Sequence, residues 1–253
     1  MGRLDGKVAV ITGAGSGLGR AMAARFAAEG AAVLATDVDE AGGRATLAAL
    51  GPAARAAFRR LDVTDEANCA AAVADAVERW GRLDIAVANA GIGGVPVPLA
   101  DLDRADWERV LAVNLTGVFL TAKHAFRAMR VAGGVILATA SVAGLEGTPR
   151  LGAYGPAKAG VVQLTRTLAL EGARFNIRAN ALCPVWTETP MVADFVDAFR
   201  QPAEAMRRRM LAGIPLGRFG TPDDVAAAAV YLASDEAAFI TGVAFPIDGG
   251  HLA

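Results

Sequence analysis

Short apolar runs alternate with longer amphipathic or alanine-rich stretches along the whole chain. Residues 7–12 (K-V-A-V-I-T) form a β-branched run ending in glycine, the pattern of a strand buried in a parallel sheet. The segment 18–29 that follows is alanine-rich and closed by Gly30, which predicts a helix. A second strand is predicted over 31–37, then a helix capped by Asp39, running to about Leu50 and broken by Gly51-Pro52. A third strand over 56–61 leads into a helix that starts at Thr64 with the acidic pair Asp65-Glu66 and ends at Trp80-Gly81. The fourth strand, 83–88, runs into a loop too rich in Gly and Pro to be regular.

A helical region is predicted to open at Asp101 or Asp103 and to reach Met129, with Asn114 set among Val113, Leu115, Val118 and Phe119. A buried amide there needs hydrogen bonds, which points to a helix kink or a water-holding role. The fifth strand covers 135–139. Pro156 is tolerated only in a first helical turn, so the next helix should start within 152–155 and run to about 171–172. A sixth strand covers 176–182, and a last one 243–246. Between them lie an insertion at about 190–213, expected to be helical and mobile, and a helix opened by Thr221-Pro222-Asp223-Asp224. The alternation predicts a single α/β domain over 1–253: a doubly wound parallel sheet of about seven strands with helices on both faces.

Composition narrows the partners. Of the 253 residues 54% are hydrophobic and 20% charged, which fits a compact folder. A net charge of −1 gives no field to draw in nucleic acid or an anionic membrane, so a small-molecule partner is expected. Cys69 and Cys183 stand apart, with no Cys-x-x-Cys and no neighbouring histidine, which argues against a disulfide framework and a metal site. No leader-like N-terminus and no long apolar run is seen, so a soluble, cytoplasmic protein is expected.

The glycine turn supplies the first chemistry. Gly13, Gly17 and Gly19 follow the first strand and open a helix, so the bare backbone and the helix N-terminus suit a pyrophosphate, as in a Rossmann-type fold. Asp37 ends the second strand eighteen residues after Gly19, at the distance of an adenosine ribose. Its charge, with uncharged Ser16 and Val38 nearby, predicts NAD rather than NADP. Asp62, at the next strand end, either meets the adenine edge, with Val63 beside it, or caps the following helix. Tyr154 and Lys158 share one helix face at i,i+4, and Ser141 lies thirteen residues upstream. A cation about 4 Å from a phenol is worth roughly three pK units at an effective dielectric of about 20. Tyr154 is thus a candidate acid/base and Ser141 a candidate holder of the substrate oxygen.

Taken together, the T-G-x-x-x-G-x-G turn, Asn89-Ala90-Gly91, Asn114, Ser141, Tyr-x-x-x-Lys and the C-terminal F-I-T-G-V-A-F-P-I-D-G-G resemble the short-chain dehydrogenase/reductase family, in its short NAD-dependent form. That resemblance implies interconversion of a secondary alcohol and a ketone. Ser141 would polarise the substrate oxygen, Tyr154 act as acid/base, Lys158 lower its pKa and hold the nicotinamide ribose, and Asn114 position a water. Gly13, Ser16, Gly17, Leu18, Gly19, Asp37, Asp62, Val63, Asn89, Ala90, Gly91, Pro184, Val185, Thr187 and Thr189 would line the NAD site. A homotetramer built on the helices near 105–130 and 152–172 and on the C-terminal strand is also implied. Ala88, Ala140, Pro156 and Val185 depart from the common pattern, but none removes a catalytic group. A non-catalytic NAD sensor is the alternative; such a member would be expected to lose Ser, Tyr or Lys. An apolar pocket is expected from Gly93 to Val97, Val142, Leu145, Trp186, Met191 and the insertion, for a cyclic, aromatic or acyl ketone. Arg150, Arg200 and Arg207 to Arg209 are candidate anion contacts, with a solvated helix face as the plainer reading.

Overall fold

The computed structural model describes residues 2–198 and 202–253; Arg200 therefore lies outside the described residues. In chain order the elements are β1 (Val8–Thr12), α1 (Gly17–Ala28), β2 (Ala32–Asp37), α2 (Glu40–Leu50), β3 (Ala56–Arg60), α3 (Glu66–Trp80), β4 (Ile85–Ala88), α4 (Arg104–Leu111) and α5 (Gly117–Met129). Then come β5 (Gly134–Thr139), α6 (Tyr154–Gly172), β6 (Ile177–Pro184), α7 (Pro190–Asp197), α8 (Ala203–Leu211), α9 (Pro222–Ala233) and β7 (Ala244–Ile247). The seven strands form one sheet in the order β3-β2-β1-β4-β5-β6-β7, and every pair is parallel. From the edge strand β3 the chain returns to the centre and lays β4 beside β1. The strand order reverses there, which opens a crevice beyond the carboxyl ends of β1 and β4.

Period-two alternation explains why the central strands are apolar throughout. Ala9 and Ile11 of β1 face a core with Met22 and Phe26 of α1 and Val225 and Leu232 of α9. Val8 and Val10 face the opposite core, with Val73 of α3 and Phe126 and Met129 of α5. Both faces of the sheet are covered, so neither position along the strand is free to be polar. Each large side chain fully buried this way contributes about 1.5–3 kcal/mol.

Where bounds differ from the sequence reading, local geometry is the cause. Asn176 adopts a left-handed backbone (φ 54°), so β6 starts after it, and pairing of Cys183 with Pro246 and Pro184 with Ile247 carries the strand to Pro184. The predicted helix to Met129 contains a π-helical turn at Ala112–Thr116, between α4 and α5. Capping falls to Asp39, Asp65 and Thr221. Asp62 is not the cap of α3: its carboxylate accepts from the Thr64 N–H at 2.9 Å and hydroxyl at 2.7 Å, while Asp65 accepts from Ala67 at 2.8 Å. Among the described residues no helix is long and apolar enough to cross a membrane.

Candidate active site

Three strand ends are tied together at the crevice by two threonines and an asparagine. The Thr12 hydroxyl accepts from the Asn89 and Ala90 N–H groups at 2.9 and 3.0 Å, joining β1 to the end of β4. The Asn89 amide donates to the Thr12 carbonyl at 2.9 Å and accepts from the Thr139 hydroxyl at 3.0 Å, which brings in β5. The Thr139 carbonyl in turn takes a 2.7 Å hydrogen bond from Lys158 Nζ on α6. The chain of contacts fixes a buried ammonium at the mouth of the sheet.

Ser141 sits just past β5, where its hydroxyl donates to the Pro184 carbonyl at 3.3 Å and accepts from the Ala143 N–H at 3.2 Å. Tyr154 is the first residue of α6, and Pro156 falls in that first turn, where its missing N–H costs nothing. Lys158 follows one turn later, its Nζ 5.5 Å from the Tyr154 ring centroid. The electrostatics differ from the sequence reading. Burial holds the phenol above its ordinary value, the Ser141 hydroxyl pulling the other way, and burial pushes the ammonium down to about 8. A charge-to-phenol estimate that leaves out desolvation of both groups has the wrong sign here.

The glycine turn forms the other wall. Gly13 and Gly17 have left-handed backbones (φ 65° and 48°) and, with Ser16 and Leu18, line the cleft at the N-terminus of α1. Gly19 does not reach it. A Cβ there would stand 2.0 Å from the Gly13 carbonyl, so its role is the close approach of α1 to the turn. Asp37 lies on the rim, its carboxylate accepting from the Gly15 and Asp39 N–H groups at 2.7 and 2.9 Å. Asp62, Val63, Asn89, Ala90, Gly91, Pro184, Val185, Thr187 and Thr189 also line the cleft, as do Ser141, Tyr154 and Lys158.

Asn114 is fully buried in the π-helical turn and is not part of the cleft wall. Its amide accepts from the Ile92 N–H and donates to the Ile92 carbonyl, both at 2.8 Å, and so pins the loop after β4. One N–H and one lone pair of the amide are left over. Val185 tucks its side chain into a cluster with Val142, Val192, Val196, Met206 and Met210. The branched residue in place of glycine thus anchors the helices α7 and α8 over the cleft. The two ends of the segment that carries these helices are joined: Thr187 bridges Gly220, the Glu188 N–H donates to Gly220 at 2.9 Å and the Gly220 N–H donates to Trp186 at 3.0 Å.

The whole cleft has a volume of about 530 Å³, within the range of small-molecule sites. Gly93, Val142, Trp186 and Met191 line it as expected, whereas 94–97 and Leu145 do not. The arginines are elsewhere: Arg207 pairs with Glu188 and lies over Phe219, Arg208 pairs with Glu204 at 2.5 Å, Arg209 is exposed, and Arg150 reaches the Pro96 carbonyl. Val192 and Phe195 reach it from the expected insertion, whereas Glu146, Thr148, Leu151 and His251 are wall residues that the sequence did not single out. Nothing local marks them, because the loop after Ser141 and the C-terminal tail meet only through the fold.

Comparison with known proteins agrees with this geometry. A family model described as enoyl-(acyl carrier protein) reductase matches residues 13–251. The cis-4-hydroxycyclohexanecarboxylate dehydrogenase of Sinomonas cyclohexanicum is 44% identical over 248 residues, covering 98% of this chain and 97% of that one. A crystal structure of levodione reductase superposes with a TM-score of 0.96 at 38% identity, covering 99% of both chains. The 3-ketoacyl-(acyl-carrier-protein) reductase from Brucella melitensis, complexed with NADH, superposes with a TM-score of 0.91 at 39% identity, covering 99% of this chain and 100% of that one.

Proposed function

The chain belongs to the short-chain dehydrogenase/reductase family, and from that premise we propose that it is an NAD(H)-dependent oxidoreductase interconverting a secondary alcohol and a largely apolar cyclic, aromatic or acyl ketone. The observation that carries the reading is the meeting of Ser141, Tyr154 and Lys158 on one wall of a cleft whose other wall is the glycine turn and Asp37. The bare, left-handed backbone at Gly13 and Gly17 and the open N-terminus of α1 fit a pyrophosphate. Each Asp37 oxygen already takes one N–H and keeps lone-pair room for a ribose hydroxyl, and its charge repels a 2′-phosphate. The NADH complex of the similar Brucella melitensis reductase supports the same choice.

Nicotinamide, when bound, supplies or accepts the hydride. In reduction Tyr154 Oη gives its proton to the carbonyl oxygen as negative charge builds there, and in oxidation it takes the proton of the alcohol. Ser141 turns its hydrogen from the Pro184 carbonyl to the substrate oxygen and holds it within reach of the phenol. Lys158 stays anchored to Thr139 and presents a second N–H toward a ribose hydroxyl. Asn114 is a positioning residue: it fixes Ile92 and leaves one N–H and one lone pair for a proton-relaying water. The functional assembly is a homotetramer.

The test pairs the wild type with Tyr154→Phe. Ring ketones are assayed with NADH and with NADPH, and the affinity for NADH and the melting temperature are followed alongside. The variant should fold and bind NADH normally while kcat falls about 10²–10⁴-fold, and the wild type should favour NADH. Near-normal kcat in the variant overturns the role of Tyr154; equal use of the two cofactors overturns that of Asp37.

A further inference from the structure

Beyond the catalytic groups, the substrate end of the cleft is apolar along Val142, Leu151, Trp186 and Met191 and polar at Glu146, Thr148 and His251. His251, in the C-terminal tail, spans two other segments. Its Nδ1 lies 2.7 Å from the Gly213 carbonyl, just past α8, and its Nε2 lies 2.8 Å from Glu146 Oε1, in the loop between Ser141 and Tyr154. Both partners only accept hydrogen bonds, and a neutral imidazole has a single N–H. The two contacts therefore coexist only with an extra proton, as imidazolium against carboxylate. The charged groups facing the ring are Glu146 and Asp248, the latter in its own tail, and the Glu146 hydrogen bond raises the imidazole above its ordinary 6.5. The imidazolium spends both N–H groups on these partners and offers a ligand no donor. Among the described residues Glu146 Oε2 takes no hydrogen bond and the buried Thr148 hydroxyl has no partner, so the free polar valence at this end is one anionic acceptor beside one neutral hydroxyl, and its only charge is negative.

We propose that Glu146, positioned by His251, is a specificity residue: it accepts a hydrogen bond from a hydroxyl of the substrate remote from the reacting carbon and turns away an anionic group there. The substrate class is then a neutral ketone or alcohol carrying a second hydroxyl. This rests on the oxidoreductase reading above, so binding and turnover are measured separately. Cyclohexanone, 4-hydroxy-4-methylcyclohexanone and 4-oxocyclohexanecarboxylate are titrated into the full chain with NAD present; the hydroxyl of the second is tertiary and has no hydride to give, so the mixture cannot turn over. Intrinsic tryptophan fluorescence reports binding, since Trp186 alone of the three tryptophans lines the cleft.

The hydroxyketone should bind about tenfold more tightly than the unsubstituted ring, and the carboxylate more weakly than either. Glu146→Gln keeps an acceptor and removes the charge, so it should restore carboxylate binding about tenfold, whereas Glu146→Ala should abolish the preference for the hydroxyketone. His251→Ala should weaken that preference, and His251→Gln, which donates to Glu146 without titrating, should rescue it. The wild-type preference should fade as pH rises through the raised value of His251, and the His251→Gln preference should not. Equal binding of hydroxyketone and carboxylate to the wild type, or a ratio unmoved by Glu146→Gln, overturns the proposal. The expected binding pattern with no NADH-dependent reduction of any of the three overturns the parent reading alone.

Discussion

Lys158 stands one helical turn after Tyr154, yet it donates its 2.7 Å hydrogen bond to the Thr139 carbonyl. The phenol is left under the stronger influence of burial, which favours its neutral form. A protonated phenol is the form needed to reduce a ketone, while alcohol oxidation needs the phenolate. The sign follows: oxidation should climb as pH rises across the neutral range, and reduction should stay level up to about pH 8, since burial raises the phenol and keeps it in its acid form there. Both profiles should bend near pH 8, where Lys158 sheds its proton. Initial rates in each direction from about pH 6 to about 9 check this; an oxidation rate flat over that window contradicts it.

Helix ends carry the next level of specification, and α9 shows it well. Thr221 Oγ1 accepts from the Asp224 N–H at 3.1 Å while the Asp224 carboxylate accepts from the Thr221 N–H at 2.7 Å and from Arg218 at 2.7 Å. Arg218 and Thr221 together hold the Asp224 carboxyl well below the usual carboxylate range. Thr221→Ala should cost about 1 kcal/mol and lower the melting temperature by about 2–4 °C with kcat unchanged, as thermal unfolding and an activity assay would show. An unshifted melting temperature would remove the cap from the account. Such caps are legible in sequence because both partners lie within one turn, and so is the Tyr154–Lys158 spacing. Asn114 announced itself as a misplaced amide, but not that its partner is Ile92. Asp62 and Asp65 are three residues apart and equally able to cap α3, and only the backbone path chooses Asp65. The Glu146–His251 contact joins positions 105 residues apart, and the desolvation of Tyr154 is a property of the finished core. Neither has a local trace.

At the scale of the molecule, part of the exposed apolar surface lies on or beside the elements that the family resemblance associates with assembly. Phe119 on α5, Leu170 on α6, and Phe239 and Val243 ahead of β7 are exposed. β7 is an edge strand, but Pro246 within it lacks an N–H, so the sheet is not expected to extend unbroken into another copy. Association should instead proceed by packing of these side chains, and light scattering at micromolar concentration should give a tetramer; a monomer would contradict it. The bridge between Thr187 and Gly220 has a different bearing. The excursion through α7 and α8 begins and ends at this hydrogen-bonded junction, and between its ends it is held by the Gly213–His251 and Leu216–Gly249 contacts and by the packing of Met206 and Met210 on Val142 and Val185. A graft of a different excursion onto the same junction should therefore change the substrate preference while Ser141, Tyr154 and Lys158, which lie outside it, stay in place, provided that the new segment keeps the packing on Val142 and Val185.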